Sequence, residues 1–147
     1  MNVRLATQED WPSVKKLLRF TFSELRDNCG SDDIFDVASH VVARGIDTGE
    51  AVFVAEDHLG GLTGFVAWVG GVPGMPDDVA FGVGTYVLPK HRRSGLSERL
   101  RDAAMARCRE LGYRRVRGEA SNKNTAGIAS CEKLGFQVVG VVVEKTL

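Results

Sequence analysis

The sequence predicts a mixed α/β fold with helices on both faces of one sheet. Three observations carry this. Segments of strand and helix periodicity follow one another as βααβββαβαβ, three consecutive central runs are rich in β-branched and aromatic residues, and 44% of the 147 residues are apolar. That apolar share suffices for one core. No repeat or low-complexity linker divides the chain, so residues 1–147 are expected to form a single domain.

Each element has a local signature. Residues 2–6 alternate like a short strand, and Thr7 with Asp10 resembles a capping box opening a helix. Val14, Leu17, Leu18, Phe22 and Leu25 follow at helical spacing and make its apolar face. Asp27 to Asp33, with Asn28, Gly30 and Ser31, is a polar break. Ile34, Val37, Ala38, Val41, Val42 and Ile46 then define a second amphipathic helix ending near Gly49. Ala51 to Ala55, Leu62 to Val69 and Val79 to Leu88 read as three consecutive antiparallel strands bounded by Gly, Pro or Asp. Gly82 and Gly84 lie inside the last of these, where glycine weakens pairing and marks a bulge or a close approach. After Pro89 a basic turn leads into a helix with Leu100, Ala103, Ala104, Cys108 and Leu111 inward and Gly112 as its stop. A strand near Arg115 to Ala120, a short helix from about Thr125 to Leu134 and a last strand from Phe136 to about Glu144 complete the order.

Charge and cysteine content narrow the function. Nineteen Lys and Arg balance 19 Asp and Glu, so nothing drives unspecific coating of a polyanion, and a nucleic-acid partner is disfavoured though a local basic patch keeps it open. Cys29, Cys108 and Cys131 are odd in number with no C-x-x-C pair, which suggests neither a disulfide framework nor a zinc ribbon. His40, His58 and His91 lack ligand spacing, so no metal is expected. No apolar run approaches the roughly 20 residues of a membrane span, and no secretory core follows Met1. A cytoplasmic protein is expected.

The segment that carries chemistry is Val87-Leu88-Pro89-Lys90-His91-Arg92-Arg93-Ser94-Gly95-Leu96-Ser97, a strand ending in a basic, glycine-containing loop that runs into a helix. Such a junction aims unpaired backbone N–H groups and the positive end of a helix dipole at one point, where an anion such as a pyrophosphate is held. The loop lacks the Gly-Lys-Ser/Thr ending of a Walker A motif, and it follows the fourth strand, where a Rossmann fingerprint would open the chain.

Here the sequence resembles the GCN5-related N-acetyltransferases. Their acetyl-coenzyme A loop, Arg/Gln-x-x-Gly-x-Gly/Ala, is matched by Arg92-Arg93-Ser94-Gly95-Leu96-Ser97, after the usual lead-in Val87-Leu88-Pro89. Asn124, Gly127 and Glu132-Lys133-Leu134-Gly135-Phe136 look like the family's Asn-x-x-Ala followed by Tyr-Glu-Lys-Leu-Gly-Phe. The resemblance covers essentially the whole chain. It implies a mostly antiparallel sheet whose fourth and fifth strands run parallel and splay apart, with the pantetheine arm of acetyl-CoA in the gap. Backbone groups near Tyr86 to Leu88 would pair with that arm, the loop from Arg92 to Ser97 would take the pyrophosphate, and Asn124 would reach the arm by its side chain, alone or while capping a helix. Arg114, Arg115 and Arg117 are candidates for the adenosine 3′-phosphate or for a solvated face.

The implied activity is direct acetyl transfer to a primary amine of a small molecule or protein. A backbone N–H near Val87 or Leu88 is the expected polariser of the thioester carbonyl. Glu119, five residues before Asn124, is the chosen base, as in the branch that acetylates protein N-termini; the alternative is a strand carboxylate paired with Arg115 or Arg117. Glu56 and Asp57 are next. The acid position, usually Tyr, is Cys131, which either donates a proton or is a small buried helix residue. Trp11 and Trp68 are assigned to the core or to a wall of the acceptor pocket. Two other readings stand beside transfer to such amines: an acyl-CoA-binding regulatory module with weak catalysis, and acetyl transfer to a nucleic-acid or charged-tRNA amine. The acceptor would be read by the first two helices, by loops, or by a second copy in a homodimer.

Overall fold

The computed structural model describes residues 1–24, 32–120 and 122–147. Leu25 and the polar break from Asp27 to Ser31, with Cys29, lie outside the described residues. The elements in order are β1 (Asn2–Leu5), α1 (Trp11–Glu24), α2 (Asp32–Asp47), β2 (Ala51–Glu56), β3 (Leu62–Val69), β4 (Val79–Val87), α3 (Leu96–Glu110), β5 (Arg115–Gly118) and α4 (Thr125–Lys133). The strands form one sheet in sequence order, antiparallel from β1 to β4 and parallel between β4 and β5. The hairpins explain the antiparallel part, and α3 is the crossover that a parallel pair requires.

Strand alternation sorts the core into two layers. Val52 and Val54 of β2 and Phe65, Ala67 and Val69 of β3 face α1 and α2, where they meet Val14, Leu18, Phe22 and Val42. Ala51, Ala55 and Val66 face the other way, against Leu96, Leu100, Ala104 and Cys108 of α3. Trp11 packs against the first layer and Trp68 against the second, so both tryptophans serve the core. Burial, with a smaller contribution from Glu50, pushes the Cys108 thiol up to about 11, as suits a packing residue and not a nucleophile.

Gly82 has a specific reason to lack a side chain. A Cβ there would sit 2.7 Å from the Trp68 indole, opposite a register shift between Ala67 and Trp68. The expected bulge is present, and what approaches the glycine is this ring. Trp68 in turn stacks on Phe136, with centroids 6.2 Å apart.

The Thr7–Asp10 signal opens a single 3-10 turn that feeds α1, and Asp10 Oδ2 accepts the Thr7 N–H at 2.7 Å. Asp10 also receives two Arg4 N–H groups at 2.7 and 2.9 Å, while Arg4 Nε donates to Glu56 at 2.6 Å. Arg4 therefore ties β1 to β2 and to the start of α1. Chiefly through the Arg4 hydrogen bonds, the Asp10 carboxyl lies below its ordinary value. A depressed carboxylate stabilises the fold above the unfolded pKa and loses that contribution as pH falls through the folded one. Arg4→Ala should thus cost about 1 kcal/mol at neutral pH. In urea titrations the deficit should fade below about pH 4.

The last expected strand does not form. Residues 136–147 have no ladder partner, and Val138 to Val143 stand open, from 67% exposure at Val138 to 88% at Val143. Valine favours a pleated, half-buried surface rather than extended backbone as such. The edge strand β5 is only four residues long and takes no partner on its outer side among the described residues, so the propensity finds nothing to pair with.

Candidate functional site

The site begins where β4 and β5 part. Their parallel pairing runs from Val79 opposite Arg115 to Gly82 opposite Gly118 and stops, whereas β4 continues to Val87. The stretch from Gly84 to Val87 therefore has no ladder partner on that side among the described residues. Direction alternates along a strand, and the Leu88 N–H donates to Thr63 O at 2.9 Å, on the β3 side. Val87 then faces the open edge. Of the two expected polarising amides, Leu88 is committed to the sheet, and its carbonyl accepts the His91 N–H at 2.8 Å.

Beyond β4 the chain makes a 3-10 turn, Pro89–His91, and enters α3 through two left-handed residues, Arg93 (φ 59°) and Gly95 (φ 77°). Arg93 is the one non-glycine with positive φ among the described residues, a conformation that costs a residue with a Cβ roughly 1–2 kcal/mol. The two turns leave the N–H groups from Arg93 to Ser97 without a protein acceptor among the described residues. Apart from Ser94, these residues border a cavity of about 450 Å³, lined also by Val87 and His91, at the positive end of the α3 dipole. A Cβ on Gly95 would meet no atom within 4 Å, so the space over the loop is open to a ligand. Open amides, a helix start and an unfilled cradle together suit a diphosphate.

Arg92 has a different place. Its N–H bonds Pro89 O, its Nε donates to Val87 O at 2.9 Å, and its Nη2 meets Glu24 Oε2 at 3.0 Å. The Tyr86 hydroxyl donates to the other Glu24 oxygen at 2.7 Å. Tyr86 and then Arg92 hold the Glu24 carboxyl below the usual range, while burial and then Glu24 raise the Tyr86 hydroxyl. Arg92 thus fixes the loop to α1 and to β4, and the open donors start at Arg93. Sequence reasoning missed Glu24, whose partner is 68 residues away, and no local signal marks such a pair. Glu98 also lines the cavity, as its acidic member.

Glu119 follows β5 directly and is exposed. Neither arginine proposed as its partner takes that role, because Arg115 binds Asp78 at 3.0 Å and Arg117 extends to the Met75 sulfur at 3.6 Å. Glu119 borders a second cavity, of about 330 Å³, between β4 and the helices α1 and α2. The competing bases are occupied: Glu56 by Arg4, and Asp57 by the N–H groups of Leu59 and Gly61. Asn124 caps α4, its Oδ1 accepting the Gly127 N–H at 3.0 Å. Cys131 is a free, exposed thiol on α4, so the buried alternative for it is corrected, since α4 buries none of its residues. Ser94 bonds His91 O at 2.6 Å. Ser94, Leu88, Asn124 and Cys131 line neither cavity, whereas Val87, Arg92, Arg93, Gly95, Leu96 and Ser97 share the first. Among the described residues no cluster of His, Cys, Asp or Glu could hold a metal ion, and no helix is long and apolar enough to cross a membrane.

Comparison with known proteins agrees with this layout. The family model described as the acetyltransferase (GNAT) family matches residues 11–136. No curated protein sequence matches the chain. Among solved structures it is similar to a ribosomal-protein-alanine N-acetyltransferase from Brucella melitensis, at 19% identity and a TM-score of 0.72 over 95% of this chain and 86% of that one. It is similar also to Ard1 from Thermoplasma volcanium, at 21% and 0.68 over 95% and 84%. A third likeness is to an aminoglycoside N-acetyltransferase in complex with CoA, at 19% and 0.66 over 99% and 98%. At such identities the likeness establishes a shared fold.

Proposed function

The chain belongs to the acetyltransferase (GNAT) family, and from that premise we propose that it transfers an acetyl group from acetyl-CoA directly to a primary amine. The observation that carries the reading is the junction of an unpaired β4 edge with a left-handed glycine loop at the start of α3, beside a cavity of about 450 Å³. Acetyl-CoA supplies the activated acetyl group. The amides from Arg93 to Ser97 hold its diphosphate, and the edge from Gly84 to Val87 pairs with its pantetheine arm as a further strand would. The Val87 N–H, fixed in direction by the sheet, polarises the carbonyl that the amine attacks. The Arg92–Glu24–Tyr86 cluster positions the loop, and Arg92 also lines the cavity.

Glu119 takes the proton that the amine must lose. It is a carboxylate with no ion pair among the described residues, at the end of the strand that leaves the gap. The departing thiolate receives its proton from solvent or from the ammonium product, because Cys131 is exposed and lines neither cavity. Cys131→Ala and Cys131→Ser should therefore keep turnover within about twofold of the parent, read as thiol release. A loss of the size general acids supply, about 100-fold, would return the thiol to the mechanism. We place the protein in the cytoplasm, since Cys108 and Cys131 are both free. The reading as a whole is tested by titrating CoA into the protein in a calorimeter. Absence of binding at high micromolar ligand would remove it.

A further inference from the structure

The cavity beside Glu119 says more about the acceptor than the family does. Its walls come from separate elements: Phe22 of α1, Val37 and Val41 of α2, Val72 of the loop before β4, and Phe81 and Val83 of β4. All are apolar, and Glu119 is the single ionisable group among the described lining residues. At about 330 Å³ the cavity has the size of a small-ligand pocket. It is also persistent in character, since Phe22 and Val83 belong to the packed core and cannot turn away to fill it. Val37 at its rim is 64% exposed.

Resting on the transfer reading above, we propose that the acceptor is a monoamine carrying one compact apolar group, such as an arylalkyl or medium-chain alkyl amine. The apolar group fills the cavity and the ammonium meets Glu119. One carboxylate balances one cation. A polycationic amine would have to place further ammonium groups against Phe81, Val41 and Val37, where no side chain among the described lining residues can pair with them and desolvation disfavours the charge. A very short amine would reach Glu119 and leave the walls unused.

The test uses 2-phenylethylamine, ethylamine, spermidine and the neutral 2-phenylethanol. Each is titrated calorimetrically into the CoA-saturated protein, which cannot react, and the amines are then assayed for thiol release with acetyl-CoA. 2-Phenylethylamine should bind roughly tenfold to a hundredfold tighter than ethylamine, the range expected for burying an aromatic side chain. It should also bind tighter than spermidine and 2-phenylethanol, and Glu119→Gln should erase its advantage over the alcohol. Val37→Asp, at an exposed position that the fold tolerates, should weaken 2-phenylethylamine at least fivefold and leave CoA affinity unchanged. Equal affinity for ethylamine, a preference for spermidine, or indifference to Val37→Asp would overturn the assignment. The two readings fail separately. Tight 2-phenylethylamine binding with no thiol release from any amine would sink the transfer reading and keep the pocket. Acetylation of spermidine without 2-phenylethylamine binding would do the reverse, and loss of both would end both.

Discussion

Gly95→Asp abolishes CoA binding while leaving the fold intact: calorimetry should show affinity reduced by more than about 100-fold, with a thermal midpoint within a few degrees of the parent. The first half follows from place. Gly95 stands at φ 77° in front of the open amides of α3, and the new side chain would project into space now free of any atom within 4 Å. A carboxylate would then occupy the position of a phosphate, and two unit charges 4 Å apart near a protein surface repel by about 4 kcal/mol. The second half follows from the same emptiness, since nothing in the protein is displaced. Backbone strain is separated from charge by Gly95→Asn. Asparagine has nearly the same shape, tolerates the left-handed region and carries no charge, so it should fold as well and bind CoA better than the aspartate variant. Equal loss in both variants would assign the effect to shape, and unchanged affinity in Gly95→Asp would refute the loop assignment.

Glu119→Gln should lower turnover at pH 7 by about 100-fold, the lower end of what a positioned base contributes, with CoA affinity unchanged. The effect should depend on pH in a stated direction. Without the carboxylate, reaction waits for amine that is already neutral, a fraction that rises tenfold per pH unit until it nears the amine's own pKa, about 10 for an alkyl ammonium. The variant's log rate should therefore climb with a slope near one from neutral to mildly alkaline pH, while the parent profile is flatter and the two converge. Parallel profiles would remove Glu119 as the base.

How much of this was visible in the sequence depends on whether the cause was local. β3 is read to the residue, Leu62–Val69, because Gly61 and Gly70 bound a run of β-branched and aromatic side chains. The glycine loop is legible for the same reason: its geometry follows from a few adjacent residues between a strand and a helix. Long-range pairings are not legible. Arg92 carries the family pattern, yet its guanidinium is spent on Val87 O and Glu24. Leu88 and Val87 are equivalent in sequence, and only the hydrogen bond from Leu88 to Thr63 decides which amide faces the gap. Gly82 reads as a weak point in a strand, and the approaching group turns out to be Trp68. The final segment is the opposite failure. Val138 to Val143 have strong strand propensity, but pairing needs an edge, and the short β5 offers them none.

The acceptor side shows why spacing found a residue whose surroundings it could not describe. Glu119 is marked in the sequence by its place at the end of the fifth strand, five residues before Asn124, and by the resemblance to the branch that acetylates protein N-termini. That it shares a cavity with Phe81, Val83 and residues of α2 depends on the crossing of elements far apart in the chain. The apolar surface of α2 was legible as amphipathic periodicity, but its outermost part lines a cavity instead of completing the core.

The most direct test of the central claim is to incubate the purified chain with acetyl-CoA and a panel of amines and to read the products by mass spectrometry beside the release of CoA thiol. Direct transfer predicts the gain of one acetyl group on nitrogen in at least one amine, in equal amount to the thiol released and lost in Gly95→Asp. Tight binding of acetyl-CoA with no acetylated amine across the panel would contradict it.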